Sequence, residues 1–253
     1  MAMDLGIVAL LAGAGLLGGV VNALAGGATL FTFPAMLAAG LPPVIANASN
    51  AVAIAPGHAI AALADRRRLP RLDTRFALLA VLAVLGGTIG AFLLLAIPER
   101  LFILPVPGLI GGATLLFAAA PMIQGWAARH RQGGRGGWGL AALGAASIYG
   151  GFFGAGLGIM LTAVLAITEK SDLQTVKVLK NLLASLVALA SICIFTAEGV
   201  VRWPETSVML AGAILGGYVG GHLIRILPPA AIRRIVIAAG GVMTLIYARL
   251  YWF

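Results

Sequence analysis

Charge is scarce in this chain. Only 10% of its 253 residues are charged and eight are acidic, against about a quarter charged in soluble domains. With 61% hydrophobic residues and a mean hydropathy of +1.05, that scarcity excludes an ordinary soluble fold. Cysteine is nearly missing. Cys193 is the single one and lies within an apolar run, which excludes a disulfide framework and a thiolate metal site. Catalytic patterns are lacking as well: no HExxH, no GxSxG, no lysine after a phosphate-binding glycine loop. "GAGLG" at 154–158 lacks the strand–helix context and the later acidic residue that a nucleotide site needs. No nucleophile–base pair marks an intramembrane enzyme. No basic stretch is long or interleaved with aromatics, so the net charge of +9 does not point to nucleic acid. It reads instead as a bias of loop charge toward one membrane face and toward anionic lipid. No enzyme activity, cofactor or metal is expected.

What fills the sequence is long apolar runs, so the fold class is an all-α integral membrane protein, multi-pass in a plasma or inner membrane. The first run, "MAMDLGIVALLAGAGLLGG", has no basic leader and reads as a retained segment. Four segments cover 5–40, 43–64, 75–97 and 101–125. A basic linker, 128–137, carries Arg129, Arg131 and Arg135, and four more segments cover 138–168, 173–197, 206–227 and 230–252. The domain reading is one repeat over 1–127 and a second over 138–253. "GGTIGAFLLLAIP" at 86–98 matches "GGYVGGHLIRILP" at 216–228, and Asn50 matches Asn181, as Gly27 does Gly158. Duplication of this kind is common in transporters.

Loop charge orients the halves. Arg66, Arg67, Arg68, Arg71 and Arg75 crowd the loop after 43–64, whereas the matching loop holds Glu198, Arg202 and Glu205. The bias reverses between halves, which predicts repeats inverted in the membrane, with the N-terminus external. The same bookkeeping makes 5–40 and 138–168 each enter and leave on one face. Both are too long for one crossing of ~20 residues. Each is therefore expected to be a re-entrant helical hairpin, turning at "LAGGAT" and "GAGLGI", with three spanning helices after it. Trp126, Trp138, Trp203 and Trp252 fall at predicted interfaces. Glu169, Lys170 and Asp172 read as a solvated turn.

A helix that restarts inside the bilayer points its N-terminus, with unpaired N–H groups and about half a positive charge, at whatever fills the break. Two such starts, after Gly26-Gly27 and after Gly156 and Gly158, would make an anion site at mid-depth. The candidate substrate-binding residues are Asn22, Gly26, Gly27, Thr29, Asn47, Ser49, Asn50, Gly156, Gly158, Lys177, Lys180 and Asn181. Lys180 lies roughly 10–13 Å along its helix, where an unpaired charge costs ~2.5–3.5 kcal/mol unless a cavity or partner receives it. Lys177, a turn earlier, is better placed to reach the surface. His58 and His222 are candidates for proton coupling, because imidazole titrates near neutral pH. Single glycines can also serve close helix packing, and a single Asn an interhelical hydrogen bond.

"GGVVNALAGGATLFTFPAMLAAGLPPVIANASNAVA", with the duplicated "YGGFFGAGLGIMLTAVLAI", resembles the TauE/SafE family of sulfite and organosulfonate exporters. The shared order is a glycine hinge, then Pro34, then the "GLPP" turn at 40–43, then the small and polar patch at 46–50. Ala28, Thr29, Ile159 and Met160 stand where that family usually has further glycine. The resemblance implies export of a small sulfur-containing anion. The leading expectation is a secondary transporter working by alternating access, with the small anion and membrane lipid as its partners. A passive anion channel and a non-transporting assembly factor are the alternatives.

Overall fold

The computed structural model describes residues 3–25, 27–64, 73–130, 137–169, 172–223 and 229–253. These residues form twelve helices and no strand: α1 (Leu5–Ala25), α2 (Thr29–Ala38), α3 (Pro43–Ile54), α4 (Pro56–Ala64), α5 (Thr74–Ala96), α6 (Glu99–Phe102), α7 (Val106–Arg129), α8 (Gly137–Phe152), α9 (Leu157–Thr168), α10 (Leu173–Ala197), α11 (Trp203–Leu223) and α12 (Pro229–Trp252). Stretches of α1, α5, α7, α10 and α12 are long and apolar enough to cross a membrane. Their outward faces carry large apolar side chains. On α5, Leu78, Val81, Leu85, Ile89 and Phe92 recur at helical spacing and are all exposed, the pattern of a helix facing lipid. The four tryptophans are each about half exposed.

Local chemistry sets most boundaries. Asp73 and Asp172 cap α5 and α10, accepting from Phe76 N and Thr175 N, both at 2.8 Å. The segment read as one helix over 43–64 is two. Pro56 has no N–H to donate and crowds the preceding turn, so the helix breaks at Ala55. The segment at 101–125 likewise begins as the short α6, ahead of Pro105 and α7. The two long segments are broken as the glycines suggest, but into unequal arms of 21 and 10 residues and of 16 and 12 residues. The linker over 131–136, the run Arg66–Arg68, Arg71 and Lys170 lie outside the described residues.

Glycines bring helices together across the two halves of the chain. On α1 and α11, a Cβ at Gly19 would strike Ala213 O, and one at Gly216 would strike Leu16 O. On α5 and α8, a Cβ at Gly90 would strike Ile148 O, and one at Gly151 would strike Gly87 O. Along each seam residue numbers rise together, Gly15 meeting Met209 O where Gly19 meets Ala213 O, and Gly86 meeting Gly144 O where Gly90 meets Ile148 O, so the partners run in the same direction. In α7 and α12 they run oppositely: Trp252 Nε1 donates to Leu104 O (2.8 Å), Gly111 faces Thr244 and Gly240 faces Thr114. Lipid offers no hydrophobic drive for helices to associate, so close backbone approach at small residues carries the packing.

Polar contacts also join distant elements. Arg75 reaches Glu169 Oε1 through both Nε (3.1 Å) and Nη2 (2.9 Å). Glu169 is thus not part of a solvated turn; only 15% of its side chain is exposed, because the guanidinium replaces water. Ser49 Oγ accepts from Arg202 N (3.0 Å), ahead of α11. Glu99 Oε1 accepts from Val44 N at 2.9 Å, placing a carboxylate at the positive end of α3. Glu99→Gln is therefore expected to lower stability by about 1 kcal/mol. A thermal midpoint in detergent indistinguishable from that of the parent would contradict this.

Candidate functional site: two helix breaks and a lone lysine

Each broken segment restarts as a short apolar helix. Before α9 the chain turns through Gly154 (φ +79°) and Gly156 (φ +83°), a left-handed backbone that side chains resist. The helix therefore restarts at Leu157 rather than near Ile159, and Gly158 lies within its first turn. Ile159 N and Met160 N both bond to Gly156 O, while Gly158 N has no backbone acceptor among the described residues. Before α2 the break includes Gly27 and Ala28, with Thr29 buried as the first helical residue. Gly26 lies outside the described residues. A Cβ at Gly27 would lie 3.1 Å from Phe117, and one at Gly156 would lie 2.7 Å from Leu116. Both breaks thus abut the middle of α7. They also meet through aromatics, since Phe33 of α2 packs edge-on against Phe153 (centroids 5.3 Å apart).

Lys180 completes the second break. Its side chain lies over the start of α9, with Cδ 3.5 Å and Nζ 3.7 Å from where a Cβ of Gly158 would be. Among the described residues no carboxylate pairs with it; the ion pairs there are Arg75–Glu169 and Arg202–Glu205. A lysine ammonium and a helix N-terminus are both positive, so their juxtaposition raises the energy of the empty site and lowers that of an occupying anion. His58 lies on α4, which packs against α10, the helix of Lys180. Lys177 is exposed, one turn away, and its charge is also felt at Lys180. Asn181 is partly buried, and its backbone carbonyl accepts from Ser185 Oγ.

The other candidates divide. The Asn47 amide donates to Phe152 O (2.7 Å), the last residue of α8, and Ser49 is committed to Arg202 N. Both join α3 to the second half of the chain. Asn50 is buried beside them, with its Oδ1 unpartnered. Asn22 lies against Gly57 at the start of α4, one turn beyond Gly19 of the α1 seam. The side chain of His222 lies outside the described set.

Sequence reasoning missed the aromatic filling. Tyr149 Oη donates to Ala155 O (2.8 Å) inside the second break. Tyr149 also borders an apolar cavity of about 280 Å³ reached by Leu116 and Met160. Its only sequence signal was a position one turn before the hinge.

The family model described as "Sulfite exporter TauE/SafE" matches residues 11–247. A "Probable membrane transporter protein" of Haemophilus influenzae is 29% identical over 246 residues, covering 96% of this chain and 95% of that one. The "Probable membrane transporter protein YfcA" of Escherichia coli K12 is 27% identical over 230 residues, covering 90% and 85%. No solved structure matches the chain.

Proposed function

The chain belongs to the sulfite exporter TauE/SafE family, and from that membership we propose that it exports a small sulfur-containing oxyanion, such as sulfite or an organosulfonate, by alternating access. The observation that carries the anion reading is the lone lysine over a helix start, Lys180 at Gly158. In this reading the oxyanion sits at the first turn of α9, with Gly158 N–H and Lys180 Nζ on its oxygens. Asn181, next to Lys180 on α10, adds a donor from the same half, and the start of α2, at Gly27 and Thr29, closes the site from the other.

Several contacts support an inverted repeat with re-entrant hairpins. Two halves related by an axis along the membrane normal would run α7 and α12 in the same direction. Their opposite directions, with the exchanged Gly111–Thr244 and Gly240–Thr114 contacts, fit an axis in the membrane plane. Arg75 and Glu169, both assigned inside, pair with each other. Val44 and Glu99, and Leu104 and Trp252, all assigned to the opposite face, do the same; this supports the predicted alternation of faces along the chain. The short arms α2 and α9, 10 and 12 residues, reach roughly 15–18 Å, about half the hydrocarbon thickness. A break at that depth is tolerated only where it is buried or lines a cavity. Rocking of one repeat against the other would part Phe33 from Phe153 and open the site to alternate faces.

The test is a panel of sulfite, thiosulfate, sulfoacetate, taurine and sulfate, scored by thermal stabilisation of the purified protein and by counterflow in proteoliposomes. One or more sulfur oxyanions are expected to stabilise at low concentration and to exchange saturably. Salt-gradient currents without saturable exchange would replace the transporter by a channel, and no stabilisation by any anion would reject the site.

A further inference from the structure

The second break has a negative side as well as a positive one. α8 ends at Phe152, and its C-terminus carries about half a negative charge. The left-handed turn at Gly154 draws both Phe153 N and Gly154 N onto Tyr149 O. The carbonyls of Gly150 and Gly151 are left without backbone donors among the described residues. Against this end lies α3. Asn47, 2% exposed, donates its amide nitrogen to Phe152 O at 2.7 Å. That bond settles which end of the amide is oxygen, and Oδ1 has no partner. Asn50, 1% exposed, sits one turn along on the same face of α3 with its Oδ1 also unpartnered and sealed from solvent. Two buried carbonyl oxygens on one face of a helix, both without donors, are costly to leave unmatched. They are also the wrong polarity for the anion that sequence reasoning assigned them, because an oxyanion needs donors.

We propose that Asn47 Oδ1, Asn50 Oδ1 and the carbonyl end of α8 bind a monovalent alkali cation of the size of Na⁺. A hard cation takes oxygen ligands. A proton does not fit, because a carboxamide stays unprotonated at physiological pH. A divalent ion does not fit either, since such sites are built on carboxylates and no metal-holding cluster of His, Cys, Asp or Glu is found among the described residues. Cation and anion would then occupy opposite sides of one break, the end of α8 and the start of α9. Each would raise the affinity for the other by the same factor. The role as coupling ion rests on the transporter reading above; the binding site does not.

The experiment is a titration of the full chain in nanodiscs with sodium, lithium, potassium and choline gluconate, followed by thermal midpoint. Sodium is expected to stabilise saturably where choline does not. Asn50→Ala is expected to raise the half-saturating sodium concentration about tenfold. Asn50→Asp, which keeps an oxygen in place and adds charge, is expected to lower it severalfold. Equal midpoints in sodium and choline overturn the proposal, as does an unchanged sodium dependence in either variant. Gluconate keeps the two sites separable. Failure of the anion site removes stabilisation by sulfite at fixed sodium and leaves the gluconate titration intact.

Discussion

Replacing Lys180 by methionine is expected to abolish anion transport while leaving the protein folded and inserted. Methionine keeps the length and apolar stem of the side chain and removes only the ammonium. That ammonium has no carboxylate partner among the described residues, so its loss breaks no ion pair. It also relieves the ~2.5–3.5 kcal/mol cost of a charge held within a membrane helix. Stability is therefore expected to hold or rise. Binding is different. At ~4 Å and an effective dielectric near 20, one unit charge contributes on the order of 4 kcal/mol to an anion, or roughly a thousandfold in affinity. Lys180→Arg is expected to retain part of the activity, because it keeps charge but not shape. Sulfite uptake into proteoliposomes by Lys180→Met at the parent's rate, with equal incorporation, would rule out the role of this residue.

Gly90→Val is expected to prevent folding rather than to tune function. The added Cβ would overlap Ile148 O and lie 2.6 Å from Phe152 N, both backbone atoms of α8. No change of rotamer relieves such a contact, so α5 and α8 must separate, at a cost of about 3 kcal/mol or more. Gly216→Val, against Leu16 O in the corresponding seam of α11 and α1, is expected to behave alike. Gly125→Ala has open space beside it and serves as a control; it is expected to be neutral or to gain a little from helix propensity. Monodisperse, thermally normal Gly90→Val protein in gel filtration would show that α5 and α8 do not pack through this residue.

The same glycines show how far a sequence of this composition can be read. Gly86, Gly87, Gly90 and Gly216 were visible as landmarks shared between halves. Their use as contact points between α5 and α8, and between α1 and α11, was not, because spacing does not say which helix lies opposite. Pro56 was in plain view inside "ANASNAVAIAPGHA". Its break of 43–64 into α3 and α4 was missed because helices in membranes often continue past proline. Lys180 stood out by cost alone, as a charge far along an apolar helix. Asn47 and Ser49 stood out for the same reason, yet they are committed to Phe152 O and Arg202 N. A polar residue at depth signals only that it has a partner, and backbone partners are as good as ligands.

The sequence by itself determined that this chain lives in lipid, that two of its segments break at glycine, and to which family it belongs. Those properties follow from hydropathy, period and backbone freedom, which act over a few neighbouring residues. Only the tertiary structure decided that α7 and α12 run in opposite directions, that Lys180 lies over the start of α9, and that Asn47 commits its amide nitrogen to Phe152 O. Each of these depends on where a helix more than a hundred residues away, or one across a turn, comes to rest. In a bilayer that is settled by the close fit of small residues and by the partners of a few buried polar atoms.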